Sequence, residues 1–239
     1  MIFHVERSPL MPSATSIALR LSIGLLMLDS LIEIALAGNT TAWLSDTVRH
    51  KIFHFTAYGS RHHLYGLPLY LISNQIDTSS GAAITAFIVI GIWGFLSLWL
   101  RNLTQYRRGK FAKFSRYFYY LWVSFNVPAL ILTGAALTYV FTVTNARAGQ
   151  RIDTALAVNL NGSPYYVNTW TPQSWFSAVL RLKLTRDRED IARHLNVMRG
   201  WQYNLIPMFL LQLAETVLAF LDYNRWIQKP KLPETCSRL

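Results

Sequence analysis

The chain has 239 residues, 52% of them apolar, and a net charge of +11. Several apolar runs approach the roughly 20 residues needed to cross about 30 Å of hydrocarbon, which excludes a soluble globular domain and predicts an integral membrane protein. The positive charge lies beside these runs, so it indicates membrane topology and not nucleic-acid binding. With Cys236 as its only cysteine, the chain can form neither an intrachain disulfide nor a thiolate-based metal site.

Four apolar runs are long enough to be spans: about 17–37, 82–101, 117–143 and 202–222. They form a single four-span domain of residues 1–239, and the predicted fold class is an all-α integral membrane four-helix bundle. The short apolar piece 64–72 contains Pro68 and is too short to cross a bilayer, so we interpret it as interfacial or re-entrant.

The first span has an alternative interpretation as a signal peptide, because the Ala-Leu-Ala of residues 35–37 before Gly38 matches a small-residue cleavage pattern. Cleavage there would remove Asp29 and Glu33 from the mature protein. These two acids inside the apolar run, together with its length, favour a membrane helix.

The loop 101–116 between the second and third spans is basic throughout and contains no acid. Its cations are Arg101, Arg107, Arg108, Lys110, Lys113 and Arg116. Positive-inside reasoning therefore predicts a cytosolic loop, cytosolic termini and lumenal loops at 38–81 and 144–200. The C-terminal tail agrees, since it also carries cations: Arg225, Lys229, Lys231 and Arg238. We expect a multi-pass protein of the endoplasmic reticulum or another endomembrane.

The lumenal loops carry two glycosylation candidates, Asn39 in Asn-Thr-Thr and Asn161 in Asn-Gly-Ser. The longer loop is predicted to contain amphipathic helices. The first starts with Thr171 as its cap and Pro172 in its first position, and it lies on the membrane surface or closes over the bundle. A second helical piece, 191–198, leads into the last span.

Five histidines lie in these loops: His50, His54, His62, His63 and, in the distant loop, His194. His50 and His54 are four residues apart, so they could bind a metal ion from one face of a helix, and His62 and His63 follow. Six histidines in the whole chain are too few for the His-rich boxes of membrane di-iron enzymes, and none of the loop histidines lies in a span, where paired-haem cytochromes place their ligands. We therefore predict no metal and no cofactor, and interpret the segment as a polar loop with one histidine available as an acid or base.

The first span carries two carboxyl groups, Asp29 and Glu33, on one helical face. A charge at the centre of a membrane helix costs about 2.5 to 3.5 kcal/mol, so two in one span need a reason. A rise of about 1.5 Å per residue puts Asp29 near the middle of the bilayer and Glu33 nearer the lumenal end.

The last span repeats the pattern, with Asn204, Gln212 and Glu215 on one stripe. The same count of the rise puts Gln212 at the level of Asp29 and Glu215 further toward the cytosol, so Asp29 is predicted to face Gln212. The third span adds two polar residues on one stripe, Asn126 and Thr133.

These groups could line a polar cavity inside the bundle, with Asn126, Thr133, Asn204 and Gln212 as its walls. A carboxyl group in such a cavity loses hydration and can remain neutral and able to donate a proton. Opening an epoxide, or protonating an alkene to start a cyclisation, needs one acid and one base. We predict that Asp29, Glu33 and Glu215 divide these catalytic roles. The alternative is that the same acids only form interhelical hydrogen bonds.

Two sequence runs resemble small four-span membrane proteins of filamentous fungi: Asn-Thr-Trp-Thr-Pro-Gln-Ser-Trp-Phe at 168–176 and Met-Arg-Gly-Trp-Gln-Tyr-Asn-Leu-Ile-Pro at 198–207. Such proteins often accompany polyketide or terpenoid pathways, and most have no assigned activity. The resemblance implies a role in secondary metabolism, a lipophilic small-molecule substrate and neighbouring pathway enzymes as partners.

The sequence therefore predicts a membrane-embedded enzyme that hydrolyses or cyclises a lipophilic polyketide or terpenoid intermediate. A second hypothesis is a non-catalytic four-span protein that scaffolds pathway enzymes or helps to move a metabolite. In that case the basic loop would bind anionic lipid or a cytosolic partner. A proton-coupled transporter is a third hypothesis, which the small number of spans and the lack of a repeat disfavour.

Overall fold

The computed structural model of the chain describes residues 14–104 and 109–228. Several positions used above lie outside the described residues: Arg107, Arg108, Lys229, Lys231, Cys236 and Arg238.

The described chain folds into six helices and one β-hairpin. The helices are α1 (Ala14–Ala42), α2 (Asn74–Thr104), α3 (Lys110–Asn145), α4 (Thr154–Leu160), α5 (Pro172–Val179) and α6 (Arg188–Gln228). The strands are β1 (Ile52–Ala57) and β2 (Ser60–Tyr65). A π turn (Trp43–Thr47) and a 3₁₀ turn (Val48–His50) extend α1, and α2 contains a π-helical stretch (Ala86–Ile92).

Four of the helices, α1, α2, α3 and α6, are long and apolar enough to cross a membrane, which confirms the four predicted spans. Each is longer than predicted. At 41 residues, α6 is about 60 Å long, twice the thickness of the hydrocarbon core. The predicted helical piece 191–198 is therefore not separate, because it forms the start of α6.

The four spans form an up-and-down bundle in which α1 packs on α2, α2 on α3, α3 on α6 and α6 on α1. Each of these neighbours is antiparallel. The described chain starts and finishes at the same end of the bundle, where Arg225 of α6 donates a hydrogen bond to Thr15 of α1. We call this end the basic end, because the cations Arg101, Lys110, Lys113 and Arg116 also lie there, and the opposite end the cap end.

The outer faces of the bundle are apolar and its interior contains polar groups. Large aliphatic side chains such as Leu21, Leu28 and Ile131 are exposed, whereas Glu33 and Glu215 are completely buried. This arrangement suits a lipid environment, in which polar groups are expensive unless they face other helices.

Small residues let the helices approach closely. Gly94 of α2 lies against the Trp122 ring of α3, and a Cβ atom there would be 2.9 Å from the ring. The Trp122 indole Nε1 donates a 3.2 Å hydrogen bond to the carbonyl oxygen of Ile90, within the π-helical stretch of α2. Close packing of this kind holds membrane helices together without a hydrophobic driving force.

The β-hairpin corrects the all-α prediction. Strands β1 and β2 pair in antiparallel register, and Tyr58 and Gly59 between them both have positive φ angles (49° and 77°), as hairpin turns require. Phe53, Phe55 and Leu64 point to the buried face. These apolar residues alternate with histidines at the two-residue period of a β-strand. The segment is therefore a hairpin and not the polar loop predicted from the sequence.

The two long loops fold together into one unit, the cap, formed by residues 43–73 and 146–187. Residues 183–185 run beside β1: Thr56 N donates to Lys183 O (2.9 Å), and Thr185 N donates to His54 O (3.0 Å). Residue Trp170 pairs with the segment after the hairpin by donating to Tyr70 O (2.9 Å). Backbone hydrogen bonds between the loops thus make the cap a single folded structure.

The cap has an aromatic core. Its largest buried rings are Phe53, Phe55, Tyr165, Trp170, Trp175 and Phe176. Helix α5 lies within this core and packs on α6; it is buried on almost every side, so it does not lie on a membrane surface but closes over the bundle. Thr171 is confirmed as the N-cap residue of helix α5, since its side chain accepts a hydrogen bond from Ser174 N (3.2 Å).

Substituting Gly66 with alanine should destabilise the cap. A Cβ atom there would lie 2.2 Å from Val48 O and 2.8 Å from Lys51 O, and backbone oxygens cannot move aside as a flexible side chain can. We expect a loss of about 1–3 kcal/mol, measured by thermal unfolding of the detergent-solubilised protein. Gly81→Ala in α2 is the matched control, because no atom lies within 4 Å of its Cβ position. Equal stability of the two variants would contradict this packing.

Candidate functional site

The carboxyl group of Glu33 lies where α1, α2 and α6 meet. It is completely buried, and its Oε1 accepts a hydrogen bond from the Ser79 hydroxyl of α2. On the α6 side, the Asn204 amide donates to the backbone oxygen of Asp29 (3.3 Å) and is also close enough to interact with Glu33. The structure therefore places Asn204 beside Asp29, where we had predicted Gln212.

In the described chain, each of the two acids of α1 has one carboxyl oxygen that forms no hydrogen bond. Among the described residues, Glu33 Oε2 and Asp29 Oδ2 are buried atoms without a hydrogen-bond partner. Asp29 as a whole is half-buried, one helical turn from Glu33 toward the basic end. These two carboxyl groups form one cluster with Asn204 and Ser79.

Sequence reasoning missed Ser79 because the predicted second span began at residue 82. The residues before it, Asn-Gln-Ile-Asp-Thr-Ser-Ser-Gly at 74–81, are too polar to raise the hydropathy. Helix α2 nevertheless starts at Asn74, and Gln75 and Ser79 share its buried face. Their spacing of four residues was the signal that could have identified them.

A second cluster of polar side chains lies inside the bundle, between α3 and α6. Thr133 of α3 donates a 2.6 Å hydrogen bond to Gln212 Oε1 of α6. The side-chain amide of Asn126 donates a 3.1 Å hydrogen bond to Trp122 O within α3. All three polar side chains are buried, and their role as the walls of a cavity stays a prediction.

Glu215 is the most unusual residue of this group. It follows Gln212 by three residues on α6 and is completely buried. Within residues 14–104 and 109–228, neither of its carboxyl oxygens has a hydrogen-bond partner. Asn126 Oδ1 and Gln212 Nε2 are also buried without a partner in the same part of the chain. A carboxyl group that served only to join helices would be expected to form at least one such bond.

A third cluster, at the basic end, consists of Arg101, Tyr119 and Asp222. Arg101 of α2 forms an ion pair with Asp222 of α6, and the Tyr119 hydroxyl of α3 donates to the same carboxylate (2.9 Å). The Arg101 guanidinium also lies 4.7 Å from the centre of the Tyr119 ring. This cluster joins three helices, so Arg101 is not a free cation of the basic loop.

The ion pair was not predicted, although a signal was present. Arg101 and Asp222 end the predicted spans 82–101 and 202–222, which both run toward the same side of the membrane. Opposite charges at the same depth on two spans are natural partners.

Polar contacts also tie the cap to the bundle. Gln75 Nε2 of α2 donates to Gln173 Oε1 of α5 (3.0 Å), and Thr144 of α3 donates to Gln75 Oε1 (3.3 Å). Gln173 in turn contacts Met198 O of α6 (3.4 Å). Gln75 therefore joins three helices at the cap end, one turn from Ser79.

Both glycosylation candidates are exposed and lie at the cap end. Asn39 is in the last part of α1, and Asn161 ends α4 in a left-handed conformation. Their use for glycosylation stays a prediction.

The histidines are arranged differently from our expectation. His50 ends the 3₁₀ turn and His54 lies in β1, so the two histidines do not share one helical face. In the described part of the chain, no group of three or more His, Cys, Asp or Glu residues could hold a metal ion.

Two open surface pockets lie toward the cap. One is lined by residues 184–190 and 193, the other by 55–59, 154 and 181–183. Neither includes Asp29, Glu33 or Glu215.

Removing the charge of Asp222 should destabilise the bundle. In Asp222→Asn, Arg101 would stay charged beside Tyr119 without its carboxylate, and breaking a buried ion pair from one side costs about 3–5 kcal/mol. Lys113→Gln is the control, because Lys113 is an exposed cation near the same end. Thermal unfolding in detergent measures both. An Asp222→Asn protein as stable as the Lys113→Gln protein would show that the ion pair does not hold the helices.

Comparison with protein-family models, with curated proteins and with solved structures finds no match for the chain. The catalytic groups proposed below are therefore argued from the chain's own residues.

Proposed function

We propose that the protein is a membrane-embedded enzyme that performs acid/base chemistry on a lipophilic substrate, with Glu215 as its proton donor. The observation that carries this proposal is the state of the Glu215 carboxyl group. It is completely buried, and both of its oxygens are without a partner in the described bundle.

Burial without a partner favours the neutral acid. An ionised carboxylate in an apolar interior is very unfavourable unless a cation or several hydrogen bonds compensate it. Arg101, a cation at the basic end of the same bundle, is already paired with Asp222. A neutral carboxylic acid keeps its proton available for transfer to an epoxide oxygen or an alkene carbon.

The base would come from the helix-1 cluster. Glu33 already accepts a hydrogen bond from the Ser79 hydroxyl, and Asp29 lies beside it. Asn204 interacts with this cluster, and Glu215 follows it by eleven residues on α6, which is roughly 16 Å along the helix. Acid and base groups this far apart suit an extended isoprenoid or polyketide chain, protonated at one end and deprotonated at the other.

The resemblance to fungal four-span proteins supports the same substrate class, because those proteins accompany polyketide and terpenoid pathways. We propose that the protein acts in such a pathway in an endomembrane, with its termini and its basic loop in the cytosol. The exposed cations Lys110, Lys113 and Arg116 would then be available to anionic lipid or to a neighbouring pathway enzyme.

Replacing Glu215 with glutamine should abolish turnover without unfolding the protein. Glutamine has nearly the same shape but no acidic proton, and loss of a general acid typically lowers the rate by about 10²- to 10⁴-fold. A strain that lacks the gene should accumulate an uncyclised or epoxide-containing intermediate, which Glu215→Gln should not consume. Metabolite profiling of complemented strains measures this effect.

The matched control is Glu189→Gln, which alters an exposed acid on the same helix and should restore the parental profile. Immunoblots of membrane fractions show that both variants are inserted. Normal turnover by Glu215→Gln would refute the proposed acid. An unchanged metabolite profile in the deletion strain would refute the enzyme and favour a non-catalytic scaffold or transport protein.

A further inference from the structure

The β-hairpin of the cap brings two histidines together. His54 of β1 and His63 of β2 are directly opposite each other in the antiparallel register. Their Nδ1 atoms are 2.9 Å apart, and their rings are 4.8 Å apart at an angle of 75°. His62, the residue before His63, lies on the other face of the hairpin and packs against Phe55.

The distance between the nitrogens matches two neighbouring ligands of one metal ion. Two imidazole nitrogens at a right angle, each about 2.0 Å from a square-planar Cu²⁺, are ~2.8 Å apart, whereas a tetrahedral Zn²⁺ requires ~3.3 Å. The observed 2.9 Å is the length of the hydrogen bond that joins the two rings in the metal-free pair, and it brings both nitrogens within reach of a single ion. Imidazole is a suitable ligand for both ions, and Cu²⁺ binds more tightly to a given site.

The backbone holds the pair in place from both sides. On one side, the His54 carbonyl oxygen accepts hydrogen bonds from Thr185 N (3.0 Å) and Thr185 Oγ1 (3.1 Å), so both edges of β1 are hydrogen-bonded at this point. On the other, His63 packs against Gly162, where a Cβ atom would come within 3.4 Å of the His63 Cβ atom. Positioned ligands lose little conformational freedom on binding, which favours affinity.

We propose that His54 and His63 form a binding site for a divalent transition-metal ion, Cu²⁺ above all, with both Nδ1 atoms as ligands and water in the remaining positions. In the metal-free pair, one Nδ1 carries the shared hydrogen. Binding requires that this ring change its tautomer and carry the hydrogen on Nε2, which frees both Nδ1 lone pairs without a change of charge. The bound ion would join β1 to β2 at the surface of the cap.

The test uses the full-length protein in detergent and Cu²⁺ as the probe. We expect one Cu²⁺ per chain, with an electron paramagnetic resonance signal that shows two equatorial imidazole nitrogens. The double variant His54→Gln/His63→Gln should lose this signal. The double variant His50→Gln/His62→Gln removes the same number of histidines elsewhere in the segment and should keep it. Added Cu²⁺ should raise the unfolding temperature of the parental protein and of the second variant only.

Two results would overturn the proposal: a parental protein with no saturable Cu²⁺ binding, or a two-nitrogen signal that survives in His54→Gln/His63→Gln. If that variant does not fold without metal, the parental spectrum decides. Two equatorial imidazoles in it support the site, and one or none contradicts it. Zn²⁺ should displace Cu²⁺ only at a large excess, and displacement at equal concentrations would contradict the proposed preference of the site for Cu²⁺.

Discussion

Removing polar side chains from contact with lipid is the constraint on which the rest of this structure depends. The packing of α6 against α1 contributes to this at two levels: Asn204 meets the Asp29 and Glu33 turn midway along α1, and Arg225 meets Thr15 at the basic end. Aliphatic side chains then cover the outside. Packing alone would favour an apolar interior, so the buried carboxyl groups that have few or no hydrogen bonds need another explanation. Chemistry on an apolar substrate is the explanation that we favour.

The cap depends on the same bundle. Its two loops are joined by backbone hydrogen bonds beside β1, and its aromatic core rests on the ends of the long helices. Gln75 contacts both Gln173 of the cap and Thr144 of α3, one turn above the Ser79 bond to Glu33. A polar face of α2 thus runs from the cap to the helix-1 carboxyl cluster. Helix α5 and the cap core close the bundle at this end, while the hairpin histidines remain near the surface.

Hydropathy was enough to predict the four spans, because a membrane helix needs a long apolar run whatever its neighbours are. The burial of Glu33, Gln212 and Glu215 also followed from their position in apolar runs. Their partners did not follow, because α6 starts at Arg188 and extends far beyond the apolar run. Counting the rise from assumed span centres therefore misplaced Gln212 relative to Asp29. The hairpin was missed because a strand that is buried on only one face lies within a polar loop, where short alternations are weak signals.

The central claim is that Glu215 is held as a neutral acid inside the bundle. Infrared spectroscopy of the protein in lipid bilayers tests it directly, because a protonated carboxyl group has a carbonyl stretching band well separated from the bands of ionised carboxylates. At neutral pH we expect this band in the parental protein and in Glu189→Gln, with a clear loss of intensity in Glu215→Gln. Identical spectra of the parental and Glu215→Gln proteins in this region would contradict the claim.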